Sequence, residues 1–507
     1  MKNVVLLILD GWGQGASWGG NAITIANTPN YDRILRKFPN TLISASGMSV
    51  GLPGHEVGNS EVGHMNIGAG QIVWQDISII NKAIINGDFY SNKVLFDSIS
   101  ESKKNDTSVH LMGIISDGGI HSHIVHLMAL LKLCAKIGHS KIFIHAFTDG
   151  RDTNPMKGIE FIDKIARTTQ ALKTGQIATI AGRMYLDRKG DWSRTEKLYN
   201  LLTDGKGRVE KSALVAISNA YKRGETDEFV DPSVVDGVDG RIKDGDTIIF
   251  FNFRSDRTKQ LTTAFLEKNF DNFRRRLINN LNFISFIPYG TEQELEIKAK
   301  SAFPTVEINN TIGKYYADRN VRQFHIAETE KFAHVTYFIN GNRNEPYPLE
   351  DRLLVPSPNV RSYDLKPEMS GEEIKNELVK HIKRKEFGLT ICNFANGDMV
   401  GHTGVFEAAV KAVEFLDKMI KEIADVSLQT STPLIITADH GNIEQMVDPQ
   451  TGSPYTGHTN NPVPLIIITE EERFKLKNGG RLSDIAASLL KLSDNESSKE
   501  FDESLII

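Results

Sequence analysis

Two cysteines in 507 residues are too few for a disulfide framework. Cys134 and Cys392 stand alone with no metal-ligand spacing around them, so both are expected to be core thiols in a reducing compartment. No apolar run approaches the roughly 18 residues needed to span a bilayer. The apolar opening from Val4 to Leu9 is too short for a signal sequence and ends on Asp10. A cytoplasmic location with no membrane partner is therefore expected. An excess of positive charge is also missing. With 59 Lys and Arg against 64 Asp and Glu, the formal net charge is -5, which argues against nucleic acid as a partner. An anionic ligand must then be gathered by a local cluster of basic side chains. No repeat, low-complexity tract or Pro-rich linker marks a domain boundary.

What is present is an ordinary globular composition, 40% hydrophobic and 24% charged, in a chain too long for one core. Single cores stop growing near roughly 250–300 residues, so two domains are expected. Runs rich in Val, Ile, Leu and Phe recur at 4–9, 109–115, 142–147, 177–181, 247–253, 283–287, 389–394 and 434–437. They are apolar throughout, which suits parallel strands covered on both faces. Between them, apolar residues at three- and four-residue spacing predict helices over 124–137 and 406–423. Strands alternating with helices give an α/β fold.

Several strand-like runs end on a potential metal ligand. Asp10 follows the first, Asp439 and His440 follow the run at 434–437, and Asp398 lies just beyond the run at 389–394. In open α/β sheets ligands bind at the carboxyl ends of strands, so these side chains should converge. Asp398 and His402 are four apart, on one face of a helical turn. His458 follows in Gly457-His458-Thr459. Taken singly, an Asp after a strand is more often a turn or cap residue. Together they form a carboxylate and imidazole set that suits Mn²⁺ or Zn²⁺ better than Ca²⁺ or Mg²⁺. Ser60 stands in the Gly-rich stretch Gly58-Asn59-Ser60-Glu61-Val62-Gly63-His64. A serine hydroxyl is a weak nucleophile unless a base or metal activates it, and such a set would do so.

These motifs, with Ala438-Asp439-His440-Gly441-Asn442, stand in the order found in cofactor-independent phosphoglycerate mutases of the alkaline phosphatase superfamily, which the chain resembles. The resemblance runs from Leu9-Asp10-Gly11-Trp12-Gly13 to Leu482-Ser483-Asp484-Ile485-Ala486. It implies two Mn²⁺ ions, one held by Asp398, His402 and His458 and the other by Asp10, Ser60, Asp439 and His440. Co²⁺, Zn²⁺ and Mg²⁺ are the alternatives. It implies Ser60 as phosphoryl acceptor and Lys331 beside the metals. It further implies substrate contacts at His121, Arg151, Asp152, Arg183, Arg188, Arg254, Arg257 and Lys331, with Asp152 moving the glycerate proton. One departure stands out. The family usually has one more residue between the arginines aligned with Arg183 and Arg188. The expected reaction interconverts 3- and 2-phosphoglycerate through phosphoserine, without bisphosphoglycerate. A metal-dependent phosphatase or phosphopentomutase-like enzyme of the same superfamily is the alternative. The family suggests a monomer.

No candidate ligand lies between 60 and 398, so the middle of the chain is expected to be an insertion. The expected arrangement is an alkaline-phosphatase-like metal domain over 1–75 and 306–507, with a second α/β domain that binds substrate inserted at 76–305.

Overall fold

Apolar runs with no polar alternation can pair only where both sheet faces are covered, and the chain meets that demand in two sheets. The conformation is given by a computed structural model that describes residues 2–289, 299–304, 307–471, 474–493, 499 and 501–507. The expected boundary at 305–306 lies outside the described residues. The chain forms two compact units, Met1–Gln75 with Glu307–Ile507, and Asp76–Val306.

Fifteen strands, β1 to β15 in chain order, are found among the described residues. The first unit holds β1 (Val4–Leu9), β2 (Asn40–Ile43), β11 (Gln323–Glu328), β12 (Glu350–Val355), β13 (Leu389–Phe394), β14 (Leu434–Thr437) and β15 (Val463–Ile468). Their order is β12-β11-β13-β1-β14-β15-β2. β1 lies between β13 and β14, parallel to both, with Val4 opposite Leu389 and Leu9 opposite Phe394. β14, β15 and β2 pair antiparallel, so the sheet is mixed only at one edge. Every residue of β1, β13 and β14 is buried. The register brings the carboxyl ends of β1, β13 and β14 side by side.

The second unit holds β3 (Val109–Ile115), β4 (Ile142–Thr148), β5 (Gln176–Gly182), β6 (Arg208–Glu210), β7 (Ser233–Val235), β8 (Thr247–Phe250), β9 (Asn282–Ser285) and β10 (Lys300–Ser301). Their order is β10-β9-β8-β3-β4-β5-β7-β6, parallel except where β5 meets β7. Each unit has its own hydrophobic core. β8 is shorter than the apolar run 247–253 suggests. Beyond Phe251, whose N–H still donates to the Met112 carbonyl at 3.0 Å, the Asn252 side chain takes over, accepting from the Ile114 N–H at 3.0 Å. The helix Ile124–Ile137 has the expected bounds, whereas Phe406–Gln429 runs beyond 423.

Candidate metal centre

Asp10 follows β1 directly and is fully buried. Asp439 and His440 come one residue after β14 and are also fully buried. Asp398 sits on the short helix Asn396–Gly401 that follows β13, and His402 is the residue after that helix. His458 precedes β15. Ser60 is the first residue of the helix Ser60–Ala69, whose Asn59 side chain caps the start by accepting from the Val62 N–H. This helix docks tightly against the β14 loop. A Cβ on Gly63 would lie 2.7 Å from the Asp439 carbonyl oxygen, so no other residue fits there. Lys331 ends the turn Thr329–Lys331 after β11.

The Ser60 hydroxyl lies at the focus of this group. Its Oγ is 3.2 Å from Asp10 Oδ1 and 2.9 Å from His440 Nε2, and it accepts from Lys331 Nζ at 2.7 Å. Lys331 Nζ is also 2.8 Å from Asp10 Oδ1 and 2.6 Å from Asp398 Oδ2. Asp398 Oδ1 lies 3.1 Å from both His402 Nε2 and His458 Nε2. Two sets of close donor atoms result, Asp398 with His402 and His458, and Asp10 with Asp398 and His440. A third combines Asp10, His64 and Asp439.

Three buried carboxylates against one lysine leave a strong demand for positive charge. Burial opposes a charged His440, yet Asp439, Asp10 and Asp398 outweigh it and push its pKa up to about 9. Burial likewise opposes the Lys331 ammonium, and Asp10, Asp398 and Asp439 overcome it, holding Lys331 above its usual range. Asp398 is held well below the carboxylate range, since Lys331 and the His402 and His458 contacts outweigh the effect of its burial.

The residues present fit divalent cations. His402 Nδ1 faces the Thr456 carbonyl at 2.7 Å, His458 Nδ1 the Gly58 carbonyl at 2.8 Å and His440 Nδ1 the Gly441 carbonyl at 3.3 Å. When Nδ1–H donates outward in this way, the Nε2 lone pair is left for a metal. The Nε2 atoms of His402 and His458 face each other at 3.1 Å, as two ligands of one ion would. Asp439 Oδ2 is buried with no hydrogen-bond partner, while its Oδ1 accepts from the Gly11 and His440 N–H groups.

In the inserted unit a second cluster forms at the ends of β3, β4, β5 and β8. Arg183 is buried, pairs with Asp149, and lies 2.6 Å from Asp152 Oδ2. His121 Nε2 is 3.7 Å from Asp152 Oδ2, and its Nδ1 is 3.2 Å from Asp256 Oδ1. Asp256 also holds Arg188 at 2.7 Å and Arg254 at 3.6 Å. Arg257 donates to the Leu186 carbonyl at 3.1 Å. Burial, then Arg183 and Arg188, push the Arg257 guanidinium down to about 10. The buried Nε groups of Arg183 and Arg257 have no acceptor. Crowded guanidiniums with unused donors are suited to an anion. Arg151 stands apart, half exposed and 3.7 Å from Glu228.

Comparison with known proteins agrees with this chemistry. The model of the Metalloenzyme superfamily matches residues 2–495. A 2,3-bisphosphoglycerate-independent phosphoglycerate mutase of Clostridium perfringens is 48% identical over 495 residues, 96% of each chain. Phosphoglycerate mutase 1 of the same type from Methanosarcina barkeri is 47% identical, covering 100% of this chain and 98% of its own. The chain belongs to this mutase family. Among solved structures, Leishmania mexicana phosphoglycerate mutase at low cobalt concentration matches with a TM-score of 0.62 and 30% identity, over 100% of this chain and 98% of the other. No described helix is long and apolar enough to cross a membrane.

Within this family member, the structure adds residues that motif reading left without a role. Asn393 Nδ2 donates to Asp10 Oδ2 at 2.8 Å and lies 3.0 Å from His64 Nε2. The amide faces a carboxylate, so it must present its N–H there. His64 Nε2 is then the acceptor, which puts the proton on Nδ1, 2.9 Å from the Ser60 carbonyl and 3.3 Å from Asp439 Oδ2. Asn442 Nδ2 donates to Asp398 Oδ1 at 3.0 Å. His64 and Asn442 stand inside the motifs themselves. Asn393 gave no signal except its place one residue before the end of a strand-like run.

Proposed function

We propose that this chain interconverts 3-phosphoglycerate and 2-phosphoglycerate through a phosphoserine at Ser60, with no bisphosphoglycerate. The observation that carries this reading is the Ser60 hydroxyl, held at once by Asp10, His440 and Lys331. In this reading one divalent ion is held by Asp398, His402 and His458 and the other by Asp10, Ser60, Asp439 and His440. Mn²⁺ suits the mixed oxygen and nitrogen ligands, with Co²⁺, Zn²⁺ and Mg²⁺ as alternatives. When bound, the ions neutralise phosphoryl oxygens and make the Ser60 hydroxyl more acidic.

The chain's own groups supply the rest. Ser60 Oγ gives up its proton toward Asp10 Oδ1 and forms a bond to phosphorus as the bond to the 3-oxygen breaks, and takes the proton back when the Ser60 bond breaks in the second step. Lys331 Nζ, next to Oγ, offsets negative charge on the phosphoryl group in transit. Glycerate stays bound and turns. Its 2-oxygen then takes the phosphoryl group as the Ser60 bond breaks, so neither water nor a second phosphate is consumed. Asp152 accepts the 2-hydroxyl proton and returns one to the 3-oxygen. Arg183, Arg188, Arg254 and Arg257, with Arg151 and His121, supply donors for the substrate's anionic groups. In domain terms, residues 1–75 and 306–507 carry the metals and residues 76–305 the substrate contacts. A small-molecule substrate, a monomer and a cytoplasmic location complete the reading.

Acid quenching the Mn²⁺-loaded protein with ³²P-labelled 3-phosphoglycerate tests it. Label is expected on the peptide that contains Ser60 and absent from Ser60→Ala. Label on another residue, or turnover by Ser60→Ala, would overturn the proposal.

A further inference from the structure

Glu444 lies two residues beyond Asn442, is 1% exposed, and directs its hydrogen bonds to groups other than Ser60 and Lys331. Its two oxygens take four hydrogen bonds from three different loops. Oε2 accepts from the Gly13 N–H at 3.1 Å and the Asn442 N–H at 2.8 Å. Oε1 accepts from the Thr459 hydroxyl and from Asn461 Nδ2 at 3.0 Å. Gly13 is three residues after Asp10, Asn442 is two after His440, and Thr459 follows His458. Each donor therefore belongs to a loop that carries a candidate ligand.

The backbone is shaped around this carboxylate. A Cβ on Gly13 or on Gly441 would fall inside it, so both glycines are there to let it approach. Asn442 extends the reach to a fourth element, because its side chain holds Asp398. Gly401, on the helix that carries Asp398, leaves space for that same Asn442 side chain.

We infer that Glu444 is a positioning residue that fixes the loops of Asp10, His440 and His458, and through Asn442 the carboxylate of Asp398, in the arrangement that binds divalent cations. The inference rests on the ligand assignment proposed above. A carboxylate accepts at both oxygens and can satisfy four donors at once, whereas an amide must turn an N–H toward some of them. Glu444→Gln keeps shape and volume yet sets donor against donor at one end. Outer residues that orient metal ligands typically change affinity by about 10–100-fold.

The test is Mn²⁺ binding to the metal-free full chain, followed by loss of the free aqua-Mn²⁺ resonance, alongside mutase assays across Mn²⁺ concentration. E444Q is expected to weaken Mn²⁺ binding by about 10–100-fold, with kcat recovered to within a few-fold at saturating Mn²⁺. Affinity within twofold of the parent, or kcat lost at saturating Mn²⁺ with affinity unchanged, would overturn the inference. If E444Q does not fold, Thr459→Val removes one of the four donors. It is expected to weaken Mn²⁺ binding a few-fold, and unchanged affinity would count against the role. Asp398→Asn separates the two levels. If it too leaves Mn²⁺ binding unchanged, the ligand assignment fails; if it alone weakens binding, only the role of Glu444 fails.

Discussion

Lys331 is the one buried ammonium among Asp10, Asp398 and Asp439, and it donates to the serine expected to carry the phosphoryl group. Lys331→Met removes that charge while keeping length. Its kcat is expected to fall by about 10²–10³-fold, with Mn²⁺ binding kept or tightened because two carboxylates lose a competitor. Undiminished kcat would exclude a role in charge stabilisation. Glu328, at the end of β11, presents a different case. Its side chain is fully buried and neither oxygen has a partner in good hydrogen-bond geometry. Burial pushes it up from 4.5 to about 7, against a smaller opposing effect of Ser357 and Ser370. The folded state thus favours the protonated acid. Its stabilising contribution is complete below pH 4.5 and is lost as pH rises to about 7. Glu328→Gln is expected to be more stable than the parent at pH 8, by on the order of 3 kcal/mol, and equal to it near pH 4. Urea unfolding at the two pH values checks this, and an equal difference at both would contradict it.

At the scale of elements, β3, β4 and β5 are crossed by a line of buried polar groups. Asp246 Oδ2 lies 3.1 Å from His110 Nε2, His110 Nδ1 lies 3.0 Å from His145 Nε2, and His145 Nδ1 lies 2.8 Å from Thr179 Oγ1. The Asp246 carboxylate accepts from His110 Nε2–H, so His110 Nδ1 accepts from His145 Nε2–H and His145 Nδ1 accepts from the Thr179 hydroxyl. Thr179 closes the line. Thr179→Val leaves His145 Nδ1 unpaired in a dry sheet and is expected to cost about 1–3 kcal/mol in urea unfolding. Unchanged stability would show that the line does not hold the sheet. These strands were legible in the sequence because a parallel strand covered on both faces is apolar at most positions, and His110, His145 and Thr179 interrupt the runs only singly. β6, with Arg208-Val209-Glu210, and β10, with Lys300-Ser301, were not, since edge strands this short carry no apolar run. The same distinction applies to the centre. Asp10, Asp398 and Asp439 could be read because they follow strands, whose carboxyl ends share an edge. The placement of Asn393, His64 and Glu444 depends on which loops meet in space, and spacing along the chain does not encode that.

At the scale of the whole molecule, the candidate ligands all fall in the unit formed by both ends of the chain, and the arginine cluster falls in the unit formed by its middle. Metal bound to the folded state alone stabilises by about 2.7 kcal/mol at a hundredfold excess over Kd. Chelation is therefore expected to speed hydrogen exchange at 10–13, 60–64, 398–402 and 439–444 while leaving β3 and β4 unchanged. Equal loss of protection in both sheets would contradict a metal role confined to the first unit. The central claim is that Ser60 moves a phosphoryl group between two oxygens of one glycerate. The measurement that tests it most directly is ³¹P NMR of the Mn²⁺-loaded protein with 3-phosphoglycerate and no bisphosphoglycerate. The account predicts 2-phosphoglycerate at equilibrium with almost no inorganic phosphate. Inorganic phosphate as the sole product would contradict it and make the protein a hydrolase.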